Sequence, residues 1–144
     1  MTLADLERHA SPEAVRLAVQ VLETDIATQA WVAQVGYSLT QAATAELLGR
    51  SEQAVSKDPR LLRLERSDGR PAYPMFQFDG RKQVAGIPDV VRTLQGALTP
   101  AGIAAWLTGT VPQLGNRRPI DCLRAGEVQE VVSLAQRLGD RLSH

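Results

Sequence analysis

The spacing of apolar positions divides the chain into a helical start, a mixed middle and a helical end. In SPEAVRLAVQVLETDIATQAWVAQVG, Val15, Leu17, Ala18, Val21, Leu22, Ile26, Ala30, Val32 and Ala33 recur at helical intervals. That spacing predicts one long helix, or two joined near Glu23-Thr24-Asp25. Ser11 can cap it, Pro12 suits the first helical position, Glu13 favours the positive end, and Gly36 is a stop. Thr40 is placed to cap a second helix running to Leu48 and ended by Gly49. Ser51 is placed to cap a short third helix, terminated by Asp58-Pro59. The period then changes to two: Leu62 and Leu64 alternate with Arg63 and Glu65. Ser67-Asp68-Gly69-Arg70 is a turn sequence, so a β-hairpin is expected. Pro71 and Pro74 predict that its second strand is short or lies at an edge. After Gly80 helical spacing returns. Pro88 opens one helix, Thr99 and Pro100 cap and open another, and Pro119 opens a third. In the last helix Val128, Val131, Val132, Ala135, Leu138 and Leu142 make one apolar stripe.

The expected fold class is therefore mainly α: a helix-turn-helix with a short, wing-like β-hairpin, followed by a small C-terminal helical domain. Three segments follow. Residues 1–36 supply N-terminal helices for oligomerisation, 37–80 the helix-turn-helix and hairpin, and 81–144 the C-terminal helices. The candidate boundary lies near Asp79-Gly80-Arg81-Lys82.

Composition narrows the class. The 144 residues are 44% hydrophobic and 22% charged, enough for a packed core and against a largely disordered chain. No apolar run approaches the roughly 18 to 20 residues of a membrane span. MTLADLERHASPEAV has an early acid and no apolar signal core, and a single cysteine builds no disulfide framework. These features fit a reducing cytoplasm. Formal net charge is zero, which argues against a general polyanion binder, but the charge is unevenly spread. Residues 1–49 hold two Lys or Arg against six Asp or Glu, residues 50–82 hold eight against five, and residues 83–144 hold six against five. The positive segment is the middle one.

That segment also carries a helix-turn-helix pattern. Two helices joined tightly need a small residue where they approach, a glycine in the turn, and an apolar residue packing the second helix back on the first. QAATAELLGRSEQAVSKDPR supplies Ala45, Gly49 and Val55 in those places, with Leu48 behind the turn. It resembles the helix-turn-helix of small bacterial regulators, and the hairpin would make it a winged variant. On this reading Ser51, Gln53, Ser56 and Lys57 lie near the base-facing side of the second helix. Arg50, Arg60, Arg63, Arg66 and Arg70 meet phosphates. One copy would make few phosphate contacts, so useful affinity calls for a dimer on two half-sites of double-stranded DNA. The competing reading is packing alone, with the arginines serving solubility and Ser51 a plain helix cap.

The C-terminal half carries a different pattern. Trp106-Leu107, Pro112, Leu114-Gly115, Pro119, Leu123 and Gly126-Glu127 precede an apolar helix with Val128, Val131 and Val132. Over about residues 73 to 138 this resembles the toxin-binding domain of the Xre/MbcA/ParS antitoxins. The resemblance implies a RES-type toxin as partner, its active-site entrance covered by the antitoxin's C-terminal region, and an operon repressed through an N-terminal helix-turn-helix. Asn116, Arg117 and Arg118 in the irregular joint, with Arg137, Arg141 and His144 in the tail, are the candidate toxin contacts. Family members often begin with a compact Xre-type helical bundle. Here a hairpin follows the helix-turn-helix, which resembles a subgroup whose genes need not sit beside a toxin. A stand-alone DNA-binding regulator and a protein-interaction module without DNA therefore remain alternatives.

The residue inventory speaks against an enzyme. His9 and His144 lie near opposite ends, and one cysteine with two histidines has no zinc spacing. Cys122 sits among apolar neighbours, as a small buried hydrophobe would. There is no glycine-rich phosphate loop, and nothing near Asp121 and Glu127 would tune a carboxylate pair. No cofactor and no metal are expected.

Overall fold

Among the described residues, the side chains of Thr40, Ser51 and Thr99 cap the starts of three helices. The computed structural model describes residues 26–143, and the chain divides between Tyr37 and Ser38 into two compact units. Of the first unit, α1 (Ile26–Val35) is described, closed where the Gly36 amide donates to the Val32 carbonyl at 2.8 Å. The helix start expected at Ser11, and the joint expected at Glu23-Thr24-Asp25, lie outside the described residues.

The second unit opens with β1 (Ser38–Leu39) and α2 (Gln41–Leu48). Thr40 caps α2: its hydroxyl oxygen accepts from the Ala43 amide at 3.1 Å. Then come α3 (Glu52–Ser56), β2 (Leu64–Glu65) and β3 (Pro71–Pro74). The three strands form an antiparallel sheet in the order β1-β3-β2, with Leu39 opposite Tyr73 and Leu64 opposite Ala72. β3 is short, as expected, but it is central, not at an edge. Its prolines occupy the two ends, opposite Glu65 and Ser38, so Ala72 and Tyr73 between them keep their N–H groups for the neighbours. Under the sheet Ala45, Val55, Leu61, Tyr73 and Phe78 form one buried cluster.

The expected boundary near Gly80 is a hairpin turn instead. A 3-10 turn (Met75–Gln77) leads into β4 (Phe78–Asp79), which pairs with β5 (Lys82–Gln83). Residues 38 onward belong to one unit. The cluster of turn-forming residues marks a reversal of the chain, not a linker. The segment is held from both sides. The wholly buried Gln77 side chain accepts from the Leu62 amide at 2.9 Å and donates to the Leu62 carbonyl at 2.8 Å. It thereby imitates a neighbouring strand.

The C-terminal helices are α4 (Ile87–Leu94), α5 (Pro100–Thr108), α6 (Pro119–Arg124) and α7 (Val128–Leu142). α4 packs on α7, and α6 packs on both α5 and α7. Val90, Leu94, Ile103, Leu107, Ile120 and Val131 are fully enclosed, and each such side chain contributes about 1.5–3 kcal/mol. The buried face of α7 is shifted from the expected stripe: Val131, Leu134, Ala135 and Gly139 are buried, whereas Leu142 is 51% exposed. Gly139 brings the helices together, since a Cβ there would lie 3.4 Å from the Thr93 carbonyl oxygen. Trp106 is only half-buried.

Candidate nucleic-acid interface

The turn between α2 and α3 is Gly49-Arg50-Ser51. Gly49 takes φ +65°, and the Arg50 amide reaches back to the Ala45 carbonyl at 3.0 Å. This reversal sets Val55 of α3 against Ala45 of α2, both buried. The fold is thus a helix-turn-helix followed by a hairpin.

Packing inward through Val55 leaves Glu52, Gln53 and Lys57 exposed. Gln53 and Lys57 are four residues apart, hence neighbours on one helical face. The two serines are committed locally. The Ser51 hydroxyl oxygen accepts from the Ala54 amide at 3.1 Å, and the Ser56 hydroxyl donates to the Gln53 carbonyl at 3.0 Å. Ser51 is the N-cap of α3. Glu52 is exposed as well, although no sequence pattern points to it. Its exposure beside Gln53 places it among groups that could accept from a base amino group.

Arginines border this face. The Arg50 Nη1 donates to Asp58 Oδ2 at 2.7 Å; Arg60 donates through Nε at 3.0 Å and Nη2 at 2.9 Å to the same carboxylate. The Asp58 side chain is 4% exposed. Hydrogen bonds from Arg60, and then from Arg50, hold its carboxyl far below the ordinary carboxylate range, against the opposing effect of burial. Arg63 is exposed at the start of the hairpin, with Nη1 3.4 Å from the Ser56 carbonyl. At the hairpin tip Arg66 pairs with Asp68 at 3.2 Å, and Arg70 is exposed. The second hairpin adds exposed Arg81 and Lys82, in the segment where a domain boundary is expected. Leu61, Leu62 and Arg63 line a shallow cleft with Val91, Gln95 and Ile103, so the segment after α3 rests against the C-terminal helices.

The candidate partner contacts at the C-terminal end do not form one patch. In the joint, a 3-10 turn (Pro112–Leu114) buries Leu114, and Gly115 and Asn116 take φ +69° and +60°. Val111 bridges to Arg117 across this loop. Asn116 is therefore a turn residue, one of the few types that tolerate that conformation. Arg117 grips Glu127 with two hydrogen bonds of 2.7 and 3.1 Å, and Arg118 grips Asp121 with two of 2.8 and 2.9 Å. Arg137 and Arg141 are exposed four residues apart near the end of α7. Arg141 lies roughly 20 Å along the axis from Glu127. His144 lies outside the described residues. The Cys122 side chain is fully buried, and burial pushes its thiol up from the ordinary range.

Among the described residues no group of three His, Cys, Asp or Glu side chains could hold a metal ion. No helix among them is long and apolar enough to cross a membrane.

Together these features define a mainly α protein with a winged helix-turn-helix. No family model matches the chain, and no curated protein matches it significantly. Among solved structures it is similar to the NMR structure of Rv2175c, with a TM-score of 0.60 and 25% identity over 71% of this chain and 80% of that one.

Proposed function

We propose that the chain is a cytoplasmic DNA-binding regulator that docks α3 in the major groove and lays its hairpin along the backbone. The observation that carries this reading is the exposed Gln53–Lys57 pair on one face of α3, bordered by the arginines before and after that helix. An amide such as Gln53 can bond both hydrogen-bonding atoms of an adenine edge, and Lys57 can reach guanine or phosphate. Arg60, Arg63 and Arg70 would contact phosphates and set the register. One copy offers few such contacts, so the acting form is a homodimer on two half-sites.

Anisotropy of a labelled operator-length duplex tests this between about 50 and 200 mM salt. Binding should weaken linearly on logarithmic axes, with a slope near −0.9 for each phosphate neutralised. Arg63→Ala should weaken binding to all sequences alike and reduce the slope by about 1. Binding that ignores salt, or none at all, would leave the helix-turn-helix as packing alone.

A second reading rests on the end of α7, where Arg137 and Arg141 are exposed beside the half-exposed Leu142. The antitoxin resemblance makes this a surface for a RES-type toxin, whose active-site entrance the helix end would cover. Arg117 and Arg118 pair with carboxylates of the chain itself but stay partly exposed, so the joint remains a candidate surface beside the tail. Replacing Arg137 and Arg141 by Glu should abolish capture of such a toxin and leave DNA binding intact. Loss of neither would remove the tail from this role.

A further inference from the structure

The carboxylate at the end of α3 is an unexpected group to find on a surface meant for phosphate. Asp58 accepts four hydrogen bonds: from the Arg60 amide at 2.9 Å and Arg60 Nε at 3.0 Å on Oδ1, and from Arg50 Nη1 at 2.7 Å and Arg60 Nη2 at 2.9 Å on Oδ2. Both oxygens are thereby filled and the side chain is nearly enclosed. The two arginine side chains remain partly open to solvent, Arg50 at 34% and Arg60 at 66%. Arg50 belongs to the turn before α3 and Arg60 follows the helix, so the carboxylate ties together the two flanks of the short reading helix. Arg50 also reaches the Ala54 carbonyl on α3 at 3.4 Å.

We infer that Asp58 is a positioning residue for DNA binding: it holds Arg50 and Arg60 in one fixed fork whose outer edges grip the backbone on either side of α3. The inference rests on the DNA-binding reading above. Its logic is entropic. A free arginine must lose most of its rotamer freedom when it meets a phosphate, and a held one has lost it already. The guanidinium presents five donors in a rigid plane, so one edge can serve the carboxylate while the other serves phosphate.

The competing expectation has the opposite sign. Considered only as a charge, Asp58 repels DNA, and removing it would tighten binding. Asp58→Asn keeps the size and deletes the charge. It should weaken binding to duplex DNA roughly fivefold and lower the salt slope by about 1, although the chain becomes more positive. Arg60→Lys keeps the charge and deletes the fork. It should weaken binding to a similar degree, and it carries the decision if circular dichroism shows Asp58→Asn unfolded. Wild-type or tighter binding by folded Asp58→Asn, or wild-type binding by Arg60→Lys, overturns the inference. If the wild-type chain itself binds no DNA, the underlying reading falls and the positioning role falls with it.

Discussion

Two glycines show how one backbone angle can carry different consequences. Gly49 and Gly86 take φ +65° and +92°, conformations that cost an L side chain roughly 1–2 kcal/mol. Around Gly49 nothing lies within 4 Å of an added Cβ. Around Gly86 the same atom would lie 2.7 Å from Leu123 Cδ2 and 3.0 Å from Val128 Cγ1. Gly49→Ala should therefore lose about 1–2 kcal/mol in urea unfolding. Gly86→Ala should lose about 2–4, because crowding adds to the torsional term. Equal losses would mean that Leu123 and Val128 yield freely. Gln77 is a polar counterpart. Its buried amide serves both backbone groups of Leu62, and Gln77→Leu would strip the partners from a buried N–H and carbonyl. The expected loss is about 1–3 kcal/mol per orphaned group.

At the scale of elements, the joint between α5 and α6 closes through a side-chain pair. The Arg117 guanidinium holds the Glu127 carboxyl below the ordinary carboxylate range. A depressed folded-state pKa contributes stability that is present above about 4 and lost as pH falls through the folded value. Arg117→Ala should therefore lower the melting temperature at neutral pH, and the gap to wild type should close below about pH 4. A gap independent of pH would mean that Arg117 acts through packing alone. Elements governed by near neighbours were legible in the sequence. Thr40 with Gly49, Ser51 with Asp58, and Thr99 with Pro100 set helix limits through contacts three or four residues apart. The exposed Gln53 and Lys57 followed from the same spacing. What needs distant partners was not legible. β3 is central because β1 arrives from more than thirty residues upstream. Asp58 becomes a shared acceptor only once Arg50 is folded over it. The Arg117–Glu127 pair is a matter of loop closure, which no periodicity records, whereas Arg118 and Asp121 stand only three residues apart and their pairing lies within reach of the spacing.

At the scale of the whole molecule, the helix-turn-helix and the C-terminal helices are joined through the segment from Met75 to Gln83. Gln83 Nε2 donates to the Arg60 carbonyl at 2.7 Å and to Gln77 Oε1 at 3.1 Å. From the other side Arg124 Nη2, at the end of α6, donates to the carbonyls of Phe76 at 2.8 Å and Phe78 at 3.2 Å. Cutting after Gly80 removes Gln83 and Arg124 together, with the helices against which Leu61 and Leu62 rest. A fragment of residues 38–80 should lack a cooperative melt by circular dichroism, while residues 38–143 should melt in one transition. A folded short fragment would sever the two halves energetically. The amide of Gln77 then has a bearing on portability. A winged helix is commonly treated as a cassette, to be excised and fused to a new effector. In this chain the cassette extends through α7, and a chimera that grafts only the turn, α3 and the wing would inherit the exposed face of α3 but not the scaffold that keeps it in shape.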